Sequence, residues 1–277
     1  MNYLLVSIEI VWGICMGYNR DKAFSYVIEN GSMMDTYKLE FILGLGRDDR
    51  VPLEFFRSYQ NEDGGFAFNF KKGNPSSVAA TVSMVSWFTG LDVAYTGAFK
   101  RAVIYLKERQ AQDGSWDENP EISALNPPEW FMPSTMNTKL WLTAQTACDL
   151  LYYAEEEYQA KKAVRFLDQY RRNDGTIEGY PITNWITFAL YAQLGMNDSA
   201  QKLAPYLRSS IEHDPKMVIW YLDCLWKAKM ENVLADDLLD LLESLQDDEG
   251  CWKTVEGTAC YPETTINALR ILSLWGR

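Results

Sequence analysis

RAVIYLKERQAQDGSW, residues 101–116, reads as an amphipathic helix that runs into a turn and ends on an aromatic residue. Val103, Tyr105 and Leu106 alternate with Lys107 and Glu108 at the 3–4 spacing of a surface helix. Asp113-Gly114 supplies the turn, because glycine tolerates the positive φ at which helices end. Trp116 can fold back as a plug over the helix end. The Gln110 amide, with two donors and an acceptor, can tie the turn to neighbouring backbone.

The same pattern recurs three times. VPLEFFRSYQNEDGGF (51–66) carries Gln60, Asp63, Gly64 and Phe66. AVRFLDQYRRNDGTI (163–177) has Arg171 in the glutamine position, then Asp174, Gly175 and Ile177. DLLESLQDDEGCW (240–252) has Gln246, Glu249, Gly250 and Trp252. Such self-similarity marks a repeat architecture. Between these helices lie less charged ones, at 35–45, 77–90, 136–153, 182–195, 214–229 and 262–275, as expected of helices buried on both sides. Outer helices are expected near 51–60, 97–110, 157–171, 198–211 and 232–246. The fourth of these comes from the degenerate unit KLAPYLRSSIEHD, and a sixth from the 3–30 region would close the ring. The prediction is an all-α protein, one (α/α)6 toroid domain over 1–277 with six inner and about six outer helices. A proline-rich insertion at 117–134 interrupts it.

Composition narrows the function. Of 277 residues 47% are apolar, with 10 Trp, 16 Tyr and 12 Phe, enough to fill a core and line a cavity. The net charge of -12 and scattered basic residues leave no stripe for phosphates, so nucleic-acid binding is excluded as a class. An anionic membrane would repel the chain on average, although an apolar patch could make peripheral contact. Five cysteines at no paired spacing read as reduced thiols of a cytoplasmic protein. No run nears the ~18 apolar residues of a spanning helix. MNYLLVSIEIVWGICMG lacks a basic start and is broken by Glu9, so it reads as a first helix rather than a secretory signal.

The Gln…Asp-Gly-x-Trp turns resemble the QW repeats of squalene and other class II terpene cyclases, and the repeats of protein prenyltransferase β subunits. CYPETTINALRILSLWGR resembles the terminal inner helix of both groups. The resemblance covers essentially the whole chain and implies the toroid fold; function has to be argued from the site. Class II cyclases protonate an alkene with the middle Asp of Asp-x-Asp-Asp, a motif absent here. Prenyltransferase β subunits bind zinc through Asp, Cys and His on inner helices. The single histidine, His213, precedes Asp214-Pro215, the last helix begins Tyr261-Pro262-Glu263-Thr264, and Asp223 directly abuts Cys224. Zinc is disfavoured. Asp236-Asp237-Leu-Leu-Asp240 matches a magnesium–diphosphate motif, but it opens an outer helix, where acids favour the positive dipole end. No cofactor is expected, with magnesium entering only if the substrate is a diphosphate.

The inner helices carry the candidate chemistry. Helix 136–153 sets Trp141 and Gln145 on one face with Thr138 and Asp149 a turn to either side. Helix 182–195 opens on Thr183-Asn184-Trp185, 214–229 carries Trp220, Tyr221 and Asp223, and the last begins at Glu263. Aromatic faces stabilise a desolvated cation by about 2 kcal/mol each. A buried carboxylic acid has the raised pKa that a proton donor requires. The reading is therefore an isoprenoid-processing, cyclase-like enzyme. Asp149, Asp223 and Glu263 are its candidate acids, and Trp141, Trp185, Trp220, Tyr221, Tyr37, Asn184 and Trp130 its candidate substrate contacts. Its partner would be a small isoprenoid or other amphiphile. Two alternatives stay open: a carboxylate-pair enzyme acting on sugars, and a non-catalytic toroid binding a lipid or protein. Inner-helix N-termini would converge at one mouth and favour an anionic head group, while Glu263 and Asp35 there would partly cancel that field. The insertion, with Trp130-Phe131, is expected either to guard the cavity or contact a partner, or to be a rigid cover over an inner-helix end.

Overall fold

A computed structural model of the protein describes residues 17–44, 50–230 and 233–277. In chain order it has α1 (Arg20–Asn30), α2 (Met33–Ile42), α3 (Arg50–Tyr59), α4 (Val78–Gly90), α5 (Gly97–Glu108) and α6 (Met136–Ala154). There follow α7 (Glu157–Leu167), α8 (Pro181–Gln193), α9 (Asn197–Ser209), α10 (Pro215–Lys227), α11 (Val233–Ser244) and α12 (Tyr261–Leu274). The even-numbered helices pack side by side from α4 through α6, α8, α10 and α12 to α2 and form the inner ring. The odd-numbered ones lie outside them. The twelve helices of the described residues thus make the toroid expected from the repeats, and α12 closes it against α1 and α2. The sixth outer helix is α1; residues 3–16 of the segment expected to form it lie outside the described residues. No helix of the described residues is long and apolar enough to cross a membrane.

The repeated turn ties the outer ring together. Gln60 Nε2 donates to Gly64 O within its own turn, 2.9 Å, and to Ala98 O at the start of α5, 2.8 Å. Gln110 does the same to Gly114 O and to Gln159 O of α7, both at 3.0 Å. Gln246 bonds Gly250 O and Asn19 O, each at 2.9 Å, and its Oε1 receives Asn19 N at 2.6 Å, which joins α11 to α1. Gly114 sits at φ 96°, and a Cβ there would collide with the Lys162 carbonyl of α7, so only glycine allows this approach.

Each tryptophan plug is anchored twice. Trp116 and Trp252 are fully buried and donate their indole N–H to Leu106 O and Leu242 O, both at 2.6 Å. Their backbone N–H groups reach inner-helix hydroxyls, Thr143 at 2.9 Å and Thr265 at 3.2 Å. In the fourth turn it is Asp247, not Glu249, that accepts from the turn backbone, through Cys251 N at 3.0 Å. The inner helices all start at the end of the barrel that carries these turns.

Candidate active site

A cavity of about 650 Å³ opens at that end and runs down the barrel axis. This lies within the usual range for small-molecule sites. A two-residue hairpin, β1 (Phe66–Ala67) with β2 (Ser76–Ser77), presents Phe68, Asn69 and Phe70 to the rim. Asn69 and Phe70 both hold positive φ, 53° and 47°, a conformation that costs a residue with a Cβ about 1–2 kcal/mol. Strain of this kind concentrates at ligand sites. Opposite, the insertion contributes Trp130 and Phe131; Phe131 packs against Phe68 and Trp141, both at 5.8 Å between ring centroids.

The insertion is pinned at its base. Asp117 accepts from Ser134 N at 3.1 Å, closing the loop on itself. Glu118 turns inward and accepts from Ser77 Oγ at 2.7 Å, Val78 N at 2.7 Å, Ala79 N at 3.2 Å and Asn119 N at 2.9 Å. It thus caps α4 from a distant stretch of chain, while burial pushes its carboxyl up against the pull of those donors. The insertion thus caps the start of α4 and borders the cavity.

Below the rim the wall is aromatic. Trp141 and Trp220 stack 6.3 Å apart at 26°, and Trp87 stands nearer the floor. Arg270 and Lys38 approach the Trp87 ring at 6.0 Å and 4.0 Å.

The floor is an ion cluster. Lys227 Nζ, on a side chain 3% exposed, lies 2.6 Å from both Asp149 Oδ1 and Asp223 Oδ2. Arg270 reaches Asp223 Oδ1 at 3.3 Å, and Gln145 donates to Asp149 Oδ2 at 2.7 Å. Burial raises the Asp149 carboxyl, with Lys227 opposing it. Burial also works to raise Asp223, but Lys227 and Arg270 together overcome this and hold it below the usual carboxylate range. Burial would strip the proton from Lys227, yet the two carboxylates hold it charged. The first proton added to this cluster therefore goes to Asp149. Cys148 and Cys224 border the same floor as protonated thiols, the first pushed by burial to about 12.

Of the residues singled out in the sequence, Asp149, Asp223, Glu263, Trp141, Trp220 and Trp130 all border this one cavity. Trp185, Tyr221, Asn184 and Tyr37 do not. Trp185 and Tyr221 stack on each other at 4.3 Å between inner helices and are fully buried. Asn184 binds both backbone groups of Ile177, at 2.6 and 3.1 Å, the same service to a plug that Thr143 gives Trp116. Tyr37 is buried in α2. Asp35 closes a capping box with Ser32. The Asp236–Asp240 stretch faces outward, with Asp237 toward Arg208 at 3.7 Å and Asp240 toward Arg277 at 3.2 Å. Lys227, Arg270, Trp87 and Glu118 emerge only from the structure.

Searches of family models and of curated proteins return no match. Solved structures do match. The type II terpene cyclase MstE from Scytonema superposes with a TM-score of 0.62 at 11% identity, over 92% of this chain and 96% of that one. A variant of it in complex with geranylgeranyl dihydroxybenzoate, its substrate, gives 0.57 at 12% identity, covering 92% and 95%. The chain has a terpene-cyclase-like fold. A protein from Actinoplanes shares this toroid too, with a TM-score of 0.61, 13% identity and coverage of 93% and 98%.

Proposed function

We propose that the protein is an isoprenoid-processing enzyme of terpene-cyclase type, which holds a prenyl chain in the axial cavity and starts its reaction by protonation from Asp149. The observation that carries this reading is the Asp149–Lys227–Asp223 cluster at the foot of the Trp87, Trp141 and Trp220 wall. Burial raises the Asp149 carboxyl and so favours its protonated form, and the fixed charge of Lys227 would stabilise the carboxylate left when the proton is given up. The O–H bond of Asp149 breaks as the alkene π pair forms a C–H bond. A tertiary cation results, which a further alkene of the chain attacks. Loss of a proton to the Asp149 carboxylate ends the sequence and restores the acid. The tryptophan faces would shield the migrating charge.

A glycosidase needs two carboxylates with the sugar between them. Between Asp149 and Asp223 stands the Lys227 ammonium, which argues for the cyclase reading over the sugar one. Incubation with C15 to C30 polyprenyl substrates should give cyclised products by gas chromatography–mass spectrometry, and Asp149→Asn should abolish them while ligand binding persists. Full turnover by that variant would remove Asp149 from the reaction.

A further inference from the structure

The polar end of the substrate can be read from charges the cavity has already committed, an inference that rests on the prenyl-chain reading above. Three basic residues of the described chain line the cavity, and each is held by a carboxylate of the same wall. Lys227 bonds Asp149 and Asp223, and Arg270 bonds Asp223. Lys216 lies 2.6 Å from both oxygens of Glu256 and rests over the Trp220 ring at 5.7 Å. Two more lining acids, Glu212 and Glu263, enter no ion pair among the described residues. With Asp149 carrying the proton that starts the reaction, four carboxylates face three bases, and the wall keeps an excess of one negative charge.

Four of the six inner-helix N-termini, the other natural seat for an anion, carry the chain's own carboxylates, while α6 is capped by the Thr135 hydroxyl and α8 by no side chain. Glu118 takes the Val78 and Ala79 N–H groups of α4. Asp214 takes Lys216 N of α10, together with Val255 N and the Thr254 hydroxyl from the loop above. Asp35 and Glu263 stand in the first turns of α2 and α12. A diphosphate entering here would meet four helix ends already neutralised and no uncommitted cation on the cavity lining itself, Lys38 being held against the Trp87 ring. The mouth acids do not converge as a magnesium site for it either. Among the described residues the one group of three with ligand atoms within 4.8 Å of each other is Asp247, Glu249 and Cys251, on an outer turn and spanned by Lys253. By contrast, the wall has unused capacity for a neutral oxygen. Glu212 and Glu263 can accept from a hydroxyl. We infer that the cavity takes a prenyl chain ending in an uncharged hydroxyl, an alcohol or a phenol, and discriminates against diphosphates.

Quenching of intrinsic tryptophan fluorescence tests this on the full chain, titrated with geranylgeraniol and with geranylgeranyl diphosphate, each with and without Mg²⁺. The alcohol should bind at least about tenfold more tightly in both conditions. In Glu212→Gln/Glu263→Gln the gap should narrow through stronger diphosphate binding. Diphosphate binding as tight as the alcohol's, in either condition, overturns the head-group inference and leaves the prenyl reading standing. Failure of both ligands to bind the folded chain overturns both. A gap unchanged in the double variant removes the mouth acids as its source and overturns the inference as argued.

Discussion

Trp116 and Trp141 sit one helical layer apart and are used in opposite ways. Trp116, like Trp252, is a plug: its indole N–H ends on a helix carbonyl, its backbone N–H on a threonine, and its ring is wholly buried. Trp141 stacks on Trp220 at the edge of a cavity, and its buried N–H finds no partner among the described residues. The acids divide in the same way. Asp174 in a turn bonds the Thr176 backbone and hydroxyl, at 2.9 and 2.7 Å, whereas Asp149 on the floor meets only other side chains. Scaffold polar groups end on backbone and fix the chain's path. Cavity polar groups end on one another, a balance that a ligand or a proton can shift.

The largest expected effect lies on the floor. Lys227→Met would leave two buried carboxylates without their shared cation and should destabilise the protein by about 3–5 kcal/mol in urea unfolding. Adding Asp149→Asn to that variant should recover part of the loss. A cost below about 1 kcal/mol would mean that water, rather than Lys227, balances those charges. Next come the two tryptophan classes. Trp116→Ala empties a packed site and should cost about 3 kcal/mol, with little direct effect on ligand affinity. Trp220→Ala only widens an existing cavity, so its stability cost should stay under about 1 kcal/mol while affinity for a prenyl alcohol falls. Equal costs at the two positions would erase the distinction between plug and wall.

The scaffold half of this comparison was legible in the sequence, and the cavity half only partly. Gln60, Gln110 and Gln246 recur at a fixed offset from Gly and an aromatic residue, so the turns and the outer helices before them could be placed. The inner helices were harder to orient because they are apolar on every side. On α10, Lys216, Trp220, Asp223 and Lys227 follow the 3–4 spacing of one face, and that face is the cavity wall. Tyr221 is one residue, about 100°, away from Trp220 and faces α8 instead. Trp185 stands in the same relation to the wall residue Ile186. The i,i+4 pair Asp223–Lys227 was a readable signal for the floor cluster. Glu118 was not, since its partners lie 39 to 41 residues back and only the closed fold brings them together.

The smallest effect is a matter of sign, and it separates the two kinds of aspartate. Hydrogen bonds from the Thr176 side chain and backbone hold Asp174 below the usual carboxylate range. A carboxyl lowered on folding adds stability above its unfolded pKa and loses it as pH falls through the folded one. The stability difference between wild type and Asp174→Asn should therefore be steady near neutrality and shrink as pH drops below about 4. Asp149 is raised by burial, so the slope reverses. Its protonated form is favoured by folding, and that contribution is lost as pH rises through the folded pKa. Wild type should gain on Asp149→Asn as pH falls toward about 4. Urea melts of the three proteins across this range report both slopes. Parallel slopes would mean that the floor acid is as well solvated as the turn acid, and Asp149 could then hold no proton at neutral pH with which to begin a reaction.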